Sequence, residues 1–185
     1  HGIKFADMIG VAYDDPKWEL FLDQLTLQQM TSITGENFGQ PAIDSVSKPA
    51  NANSDGPAGP QGNYRFGEKY ATTVHVGEVV AAATWNIDLV AQRGSFIGED
   101  CLFVGTTQLW SPGANLHRTP FSGRNFEYYS EDSVLSYLMS AAQTCAMQAK
   151  GVNAAIKHFV GNDQETNRTG LCTFATEQAG NRHPG

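Results

Sequence analysis

Cysteine is scarce and scattered in this chain. Three cysteines occur in 185 residues, at positions 101, 145 and 172. None forms a CxxC pair, so neither a structural zinc site nor a redox dithiol is indicated. An odd count at wide spacing predicts buried free thiols. Free thiols lean toward a reducing, cytoplasmic compartment, with secretion left open. Runs of Lys or Arg are also missing, and the formal net charge is −7. An acidic chain without a basic stripe is a poor partner for nucleic acid. No apolar stretch approaches the roughly 18 residues that span a bilayer, so no membrane partner is expected. The phosphate loops GxxxxGK[ST] and GxGxxG, the GxSxG nucleophile elbow and the HExxH zinc motif are all lacking. The five histidines never pair at a metal-ligand spacing. Neither a cofactor nor a metal is expected.

What is present fits a packed globular chain, 41% hydrophobic and 17% charged, enough for a sizeable core. Asp15 and Pro16 are suited to open a helix. The stretch "KWELFLDQLTLQQMTSI" then predicts one long helix, with Leu20, Phe21, Leu25 and Leu27 on a shared face and Gly35 as its stop. Residues 36–65 are rich in Gly, Pro, Asn and Ser and read as loop. "VVAAATW" reads as a short β-like or buried run. A helix is predicted from about Asn86 to Val104, with Val90, Ile97, Cys101 and Val104 at helical spacing and Gly105 ending it. "TTQLWSPG" is a strand that runs into a turn at Pro112-Gly113. A second helix is predicted from near Asp132, its face set by Leu135, Leu138, Ala142, Cys145 and Ala149, with Gly151 as its end. "NAAIKHF" is the next strand, and "CTFATEQA" begins another helix. Strands that alternate with helices of four to five turns predict a parallel α/β architecture, either a barrel or a doubly wound sheet. Both place functional groups in loops after the carboxyl ends of strands.

The polar clusters lie in those loops. Asp55 sits in "SDGP" between small residues and a proline. Such a carboxylate can bridge adjacent hydroxyls of a sugar, or simply cap its own turn. Arg118 and Arg124 share the long loop "ANLHRTPFSGRNFEYYS". A guanidinium offers five donors in a fixed fork. The plain alternative is an ion pair with Glu127, Glu131 or Asp132. Lys157 and His158 end an apolar strand together. Two cations there cost solvation unless they face a polar cavity. Successive strand residues alternate in direction, so the plain alternative is one structural histidine and one solvated lysine. A lysine at a strand end of an α/β barrel also admits Schiff-base chemistry of the aldolase type, with Lys157 as nucleophile.

Four strings in fixed order narrow the choice: "SDGPAG", "AATWN", "SPGANLHRTPFSGRNFEYYSEDSVL" and "KHFVGNDQETNR". Together, over about Ser54–Ala179, they resemble glycoside hydrolase family 3, the β-glucosidase and β-xylosidase family. The opening "KFADMIGVAYDDPKWELFLDQLTLQQM" resembles the lead-in to the barrel of members with inverted domain order. The resemblance implies a partial (β/α)8 TIM-like barrel with its site at the carboxyl ends of the strands. It implies hydrolysis of terminal non-reducing β-D-glucosyl or xylosyl residues with retention, through two carboxyl groups around an oxocarbenium-like transition state. By motif, Asp55, Arg124, Lys157 and His158 correspond to ligands of the −1 sugar, and Arg168 to an arginine supporting the nucleophile region. "KHFVGND" departs from the "KHFPGHG" of the hexosaminidase branch, which favours the glucosidase or xylosidase branch. The family nucleophile, an Asp in an "SDW"-like motif, has no counterpart here, because the one Ser-Asp pair is that of "SDGP". No general acid is identifiable either.

The expected organisation is therefore the N-terminal part of a single (β/α)8-type catalytic domain over residues 1–185. Residues 1–35 form a lead-in helix region and 36–185 the first βα units. The rest of the barrel and a second α/β domain are expected partners outside this chain, with a β-linked oligosaccharide or glycoside as substrate and homo-oligomerisation left open. The chain alone is expected to be an inactive fragment. A non-catalytic carbohydrate-binding relative and an unrelated aldolase-like barrel using Lys157 stand as alternatives.

Overall fold

The computed structural model describes residues 1–34, 38–61, 64–65, 68–69, 72–174 and 176. The chain divides into two compact units, His1–Asn53 and Ser54–Gly185.

In the first unit the predicted long helix is two short ones, α1 (Lys17–Leu22) and α2 (Leu27–Ser32). The break is chemical. The Thr26 hydroxyl accepts a hydrogen bond from the Gln29 amide at 3.2 Å, and the Gln29 side chain accepts one from the Thr26 amide at 2.8 Å. This reciprocal cap starts a new helix and competes with continuation of the old one. Pro16, not Asp15, occupies the N-cap of α1. Asp15 instead accepts from the Lys17 amide at 2.8 Å. Of the four residues predicted to share a face, Phe21 is buried, against Met8, Ile43 and Val46, and Leu25 is partly so, whereas Leu20 and Leu27 are exposed. Gly35, the predicted stop, lies outside the described residues. The segment predicted as loop after residue 36 contains β1 (Gly39–Gln40) and β2 (Asn51–Asp55). They pair antiparallel, Gly39 opposite Ala52 and Gln40 opposite Asn51. Asn, Ser and Asp are poor strand formers, so composition conceals β2 and pairing alone creates it.

The second unit continues with a two-stranded ladder, β3 (Tyr64–Arg65) against β4 (Glu68–Lys69). The run read as β-like or buried is helix α3 (Glu78–Ala82), with Ala81 and Ala82 buried, in keeping with the helical preference of alanine. Helix α4 (Ile87–Val104) matches its prediction: the Asn86 side chain caps the Leu89 amide at 2.9 Å, and Gly105 ends the helix. Strand β5 (Gln108–Trp110), helix α5 (Ser133–Gln148) and strand β6 (Asn153–Ala154) follow. Asp132 caps α5 by accepting from the Leu135 amide at 2.7 Å. Strands β5 and β6 are parallel, Leu109 opposite Ala154, and an isolated bridge between Gly113 and Lys157 extends their pairing. The β5–α5–β6 crossover is the parallel α/β unit that the alternation predicts. One core cluster joins Ile97 and Cys101 of α4 to Leu109, Met147 and Val152. A second joins Ala81, Ala82, Val90, Tyr129 and Met139.

Helix α5 turns inward a face that coincides with the predicted one at Leu135 and Ala142, which pack half-buried against the core, and departs from it elsewhere. It buries Ser136, Met139, Ser140, Gln143 and Met147, whereas Leu138 and Cys145 are exposed. The inward face is set by α4. At Gly94 a Cβ would stand 2.6 Å from the Gln143 carbonyl oxygen, so the two helices touch backbone to backbone there. Close contact selects small and hydrogen-bonded side chains over leucines. The three cysteines are free as predicted, but only Cys101 is buried; Cys145 and Cys172 are exposed. Cys172–Phe174 is not helical, and residues 175 and 177–179 of the helix predicted there lie outside the described residues.

Candidate functional site

Three segments of the second unit converge on a cavity of about 330 Å³. The end of β2 brings Asp55, the 3₁₀ turn Asn125–Glu127 brings Glu127 with Arg124 at its N-cap, and the continuation of β6 brings Lys157. Parallel pairing holds the last of these: the Lys157 amide donates to the Pro112 carbonyl at 3.0 Å, and the Ala114 amide donates to the Lys157 carbonyl at 2.7 Å. Gly113 lets the long loop close over this pairing, because a Cβ there would stand 2.0 Å from the Glu127 carbonyl oxygen. No side chain fits that gap.

The polar groups form one chain of alternating charge. Lys157 Nζ donates to Asp55 Oδ1 at 2.6 Å and lies 3.3 Å from Glu127 Oε2. Arg124 Nε donates to Glu127 Oε1. Arg124 also lies 3.6 Å from Glu165 Oε1, and Arg168 lies 3.6 Å from Glu165 Oε2. Lys157 is 9% exposed and Glu127 6%. Charges this deep are tolerated because each meets an opposite one. Burial weakens the Arg124 charge, but the hydrogen bond and charge of Glu127 outweigh it and raise its pKa. Asp55 stands at the mouth, its side chain 43% exposed.

His158 lies outside the cavity lining and packs against Tyr128. The Tyr128 hydroxyl is 2.7 Å from His158 Nδ1, and the two rings meet edge to face at 6.0 Å. Burial, reinforced by the charges of Arg124 and Lys157, pulls the His158 pKa down to about 4. Burial likewise raises that of Tyr128.

A second buried carboxyl lines the cavity. Glu78, on the first turn of α3, is fully buried. Arg93 approaches its Oε1 to 3.6 Å, and the carboxyl faces the Gly113 amide and the Gln143 side chain without closing a well-formed hydrogen bond to any described residue. Burial pushes its pKa up to about 7, with Arg93 pulling the other way. Arg93 is itself held by Gln143, by the Pro57 carbonyl at 3.1 Å and by the Val76 carbonyl at 2.7 Å.

Of the residues singled out in the sequence, Asp55, Arg124 and Lys157 meet at the cavity. His158 stands beside it, and Arg168 is linked to it through Glu165. Arg118 pairs with Asp163 at 3.1 Å, not with Glu127, Glu131 or Asp132. Glu127, Glu165 and Glu78 line the cavity although none was singled out as a site residue. Glu127 carried a signal, its spacing of three from Arg124. Glu78 carried none, because its alanine-rich surroundings read as buried structure. Among the described residues no group of three His, Cys, Asp or Glu side chains is placed to hold a metal ion.

Residues 27–180 match the glycosyl hydrolase family 3 N terminal domain. Beta-glucosidase A of Butyrivibrio fibrisolvens is 34% identical over 87% of this chain and 20% of its own length. A beta-glucosidase of Ruminococcus albus is 37% identical over 82% of the chain and 16% of its own length. Among solved structures, beta-glucosidase 3B of Thermotoga neapolitana in complex with glucose superposes with a TM-score of 0.74, at 36% identity, over 82% of this chain and 24% of that one. The beta-glucosidase of Paenibacillus barengoltzii superposes over the whole chain and 21% of its own, with a TM-score of 0.80 and 31% identity. The chain thus spans a fifth or less of the length of these two curated relatives.

Proposed function

The chain belongs to glycosyl hydrolase family 3, as a partial (β/α)8-type barrel, and on that premise we propose that it supplies the sugar-binding side of a β-glucosidase-like active site. The reaction is hydrolysis of a terminal non-reducing β-D-glucosyl or xylosyl residue with retention. Asp55, Arg124, Lys157 and His158 bind the hydroxyls of the −1 sugar, and Arg168 supports the site from behind. Residues 1–185 are the first part of one catalytic barrel domain, with residues 1–35 as its lead-in. The unrelated aldolase-like alternative falls with the family membership. It is also poorly served by Lys157, which two carboxylates engage, whereas a Schiff-base lysine needs an apolar or cation-rich setting.

The observation that carries the reading is the Asp55–Lys157–Glu127–Arg124 chain around the cavity. Lys157 and Arg124 clamp Glu127, and Lys157 orients Asp55. Its preset donors and acceptors need no rearrangement to meet a sugar, and such preorganisation favours the distorted ring of the transition state over the relaxed one. Asp55, Glu127 and Glu165 are each committed to cations, which suits positioning better than nucleophilic attack. The nucleophile and general acid are assigned to parts of the protein outside this chain.

Asp55→Ala, in the protein that carries this chain, removes an acceptor from the sugar and leaves Lys157 with Glu127 as its remaining carboxylate. Two charge-assisted hydrogen bonds of about 1.5–3 kcal/mol each predict a loss of at least about 100-fold in kcat/KM on an aryl β-glucoside. A near-wild-type rate would remove Asp55 from the site.

A further inference from the structure

The proton positions around His158 follow from a short chain of hydrogen bonds. Asn162 Nδ2 donates to the Tyr128 hydroxyl at 2.6 Å. An amide nitrogen can only donate, so the phenol oxygen is the acceptor there. The phenol proton must then go to its other neighbour, His158 Nδ1, 2.7 Å away. Nδ1 is thereby an acceptor, and the one ring proton resides on Nε2. Tyr128 is fully buried and His158 half-buried. Asn162 is itself held, its amide donating to Asn115 Oδ1 at 3.0 Å, while Asn115 Nδ2 donates to Asp163 Oδ1 at 3.1 Å.

We infer that Tyr128, set by Asn162, is a positioning residue that locks His158 as a neutral imidazole with its proton on Nε2, able to donate to a ligand from that nitrogen. The charges around the ring agree with a neutral state. Arg124, Lys157 and Arg168 oppose a second proton, and Glu127 favours it. Protonation at Nδ1 would also leave two donors facing the phenol oxygen and its own proton without a taker, which costs an unsatisfied buried group. What the Nε2 donor meets rests on the sugar reading above; the tautomer itself does not. Under that reading the sugar group facing His158 is read as an acceptor, and a histidine whose proton is fixed discriminates better than one that can swap roles.

Selective ¹⁵N-histidine labelling of the intact protein that carries this chain tests the assignment at pH 7. The expected result is a proton-coupled Nε2 and a bare Nδ1 for His158. Asn162→Asp replaces the terminal donor by an acceptor, so Tyr128 should turn its proton to Asp and accept from His158, moving the proton to Nδ1. Tyr128→Phe removes the link, so the ring proton is no longer confined to Nε2 and both ring nitrogens of His158 should report a mixture of tautomers. Where either variant fails to fold, the wild-type spectrum alone decides. A proton on Nδ1 in the wild type, or an unmoved His158 signal in both folded variants, overturns the inference. Titration with glucose separates the two readings: a shift of the Nε2–H signal supports His158 as a sugar donor. An unchanged signal with the tautomer intact removes the sugar role and leaves the lock standing.

Discussion

Two titratable side chains, Glu78 and His158, pull the stability of this protein in opposite directions with pH. Glu78 has a folded pKa of about 7, against 4.5 for the free group. Between those values the folded state holds a proton that the unfolded state has lost, so its contribution falls as pH rises from about 4.5 to 7. His158 has a folded pKa of about 4, against 6.5. Its contribution is complete above 6.5 and is lost as pH falls toward 4. The two slopes oppose each other over the shared window. Glu78→Gln removes one of them and should expose the other. Denaturant unfolding of that variant should show stability rising with pH across this window, and its advantage over wild type should be larger at pH 8 than at pH 5. An equal difference at both values would mean that Glu78 is ionised throughout. The pairing of Lys157 with Asp55 and Glu127 belongs to the same scale. The sequence marks the cation as out of place at a strand end, but not the carboxylates that satisfy it.

Elements were legible where their ends carry chemistry. Asn86 with Gly105 bounds α4, and Asp132 starts α5, because caps are local and readable. The Thr26 cap was equally local, yet the apolar run around it suggested continuity. Strand β2 was hidden because its stability comes from strand pairing and not from its own residues. The inward face of α5 was partly hidden for a related reason: hydrophobic spacing picks out the leucines, while contact with Gly94 picks out Gln143 and its neighbours. That contact is testable. Gly94→Val would drive side-chain atoms into the Gln143 backbone, only 2.6 Å from where its Cβ must sit. Overpacking of this kind costs about 1–3 kcal/mol, so the denaturant midpoint should fall while the slope stays constant. Gly94→Ala should show a smaller fall. An unaffected midpoint in both would mean that the helices do not meet at this point.

At the scale of the whole molecule, the site as proposed is one side of an active centre. Every carboxylate that lines the cavity is either paired to a cation or, like Glu78, fully buried. The 185-residue chain alone is therefore expected to hydrolyse an aryl β-glucoside no faster than the uncatalysed background. Burst-free kinetics on an activated aryl glucoside would check this, and turnover would place the nucleophile within these residues. The ordered strings from "SDGP" to "KHFVGND" determined the family and the parallel α/β class by themselves, because turns, caps and motif spacing are written in consecutive residues. They also singled out Asp55, Arg124 and Lys157, which the fold brings to one cavity. Only the tertiary structure decided that Asp55 and Glu127 satisfy Lys157, that Arg118 turns to Asp163, and that Tyr128 links His158 to Asn162. Those contacts join residues far apart in sequence. Their selection depends on burial and backbone pairing, which no local pattern encodes.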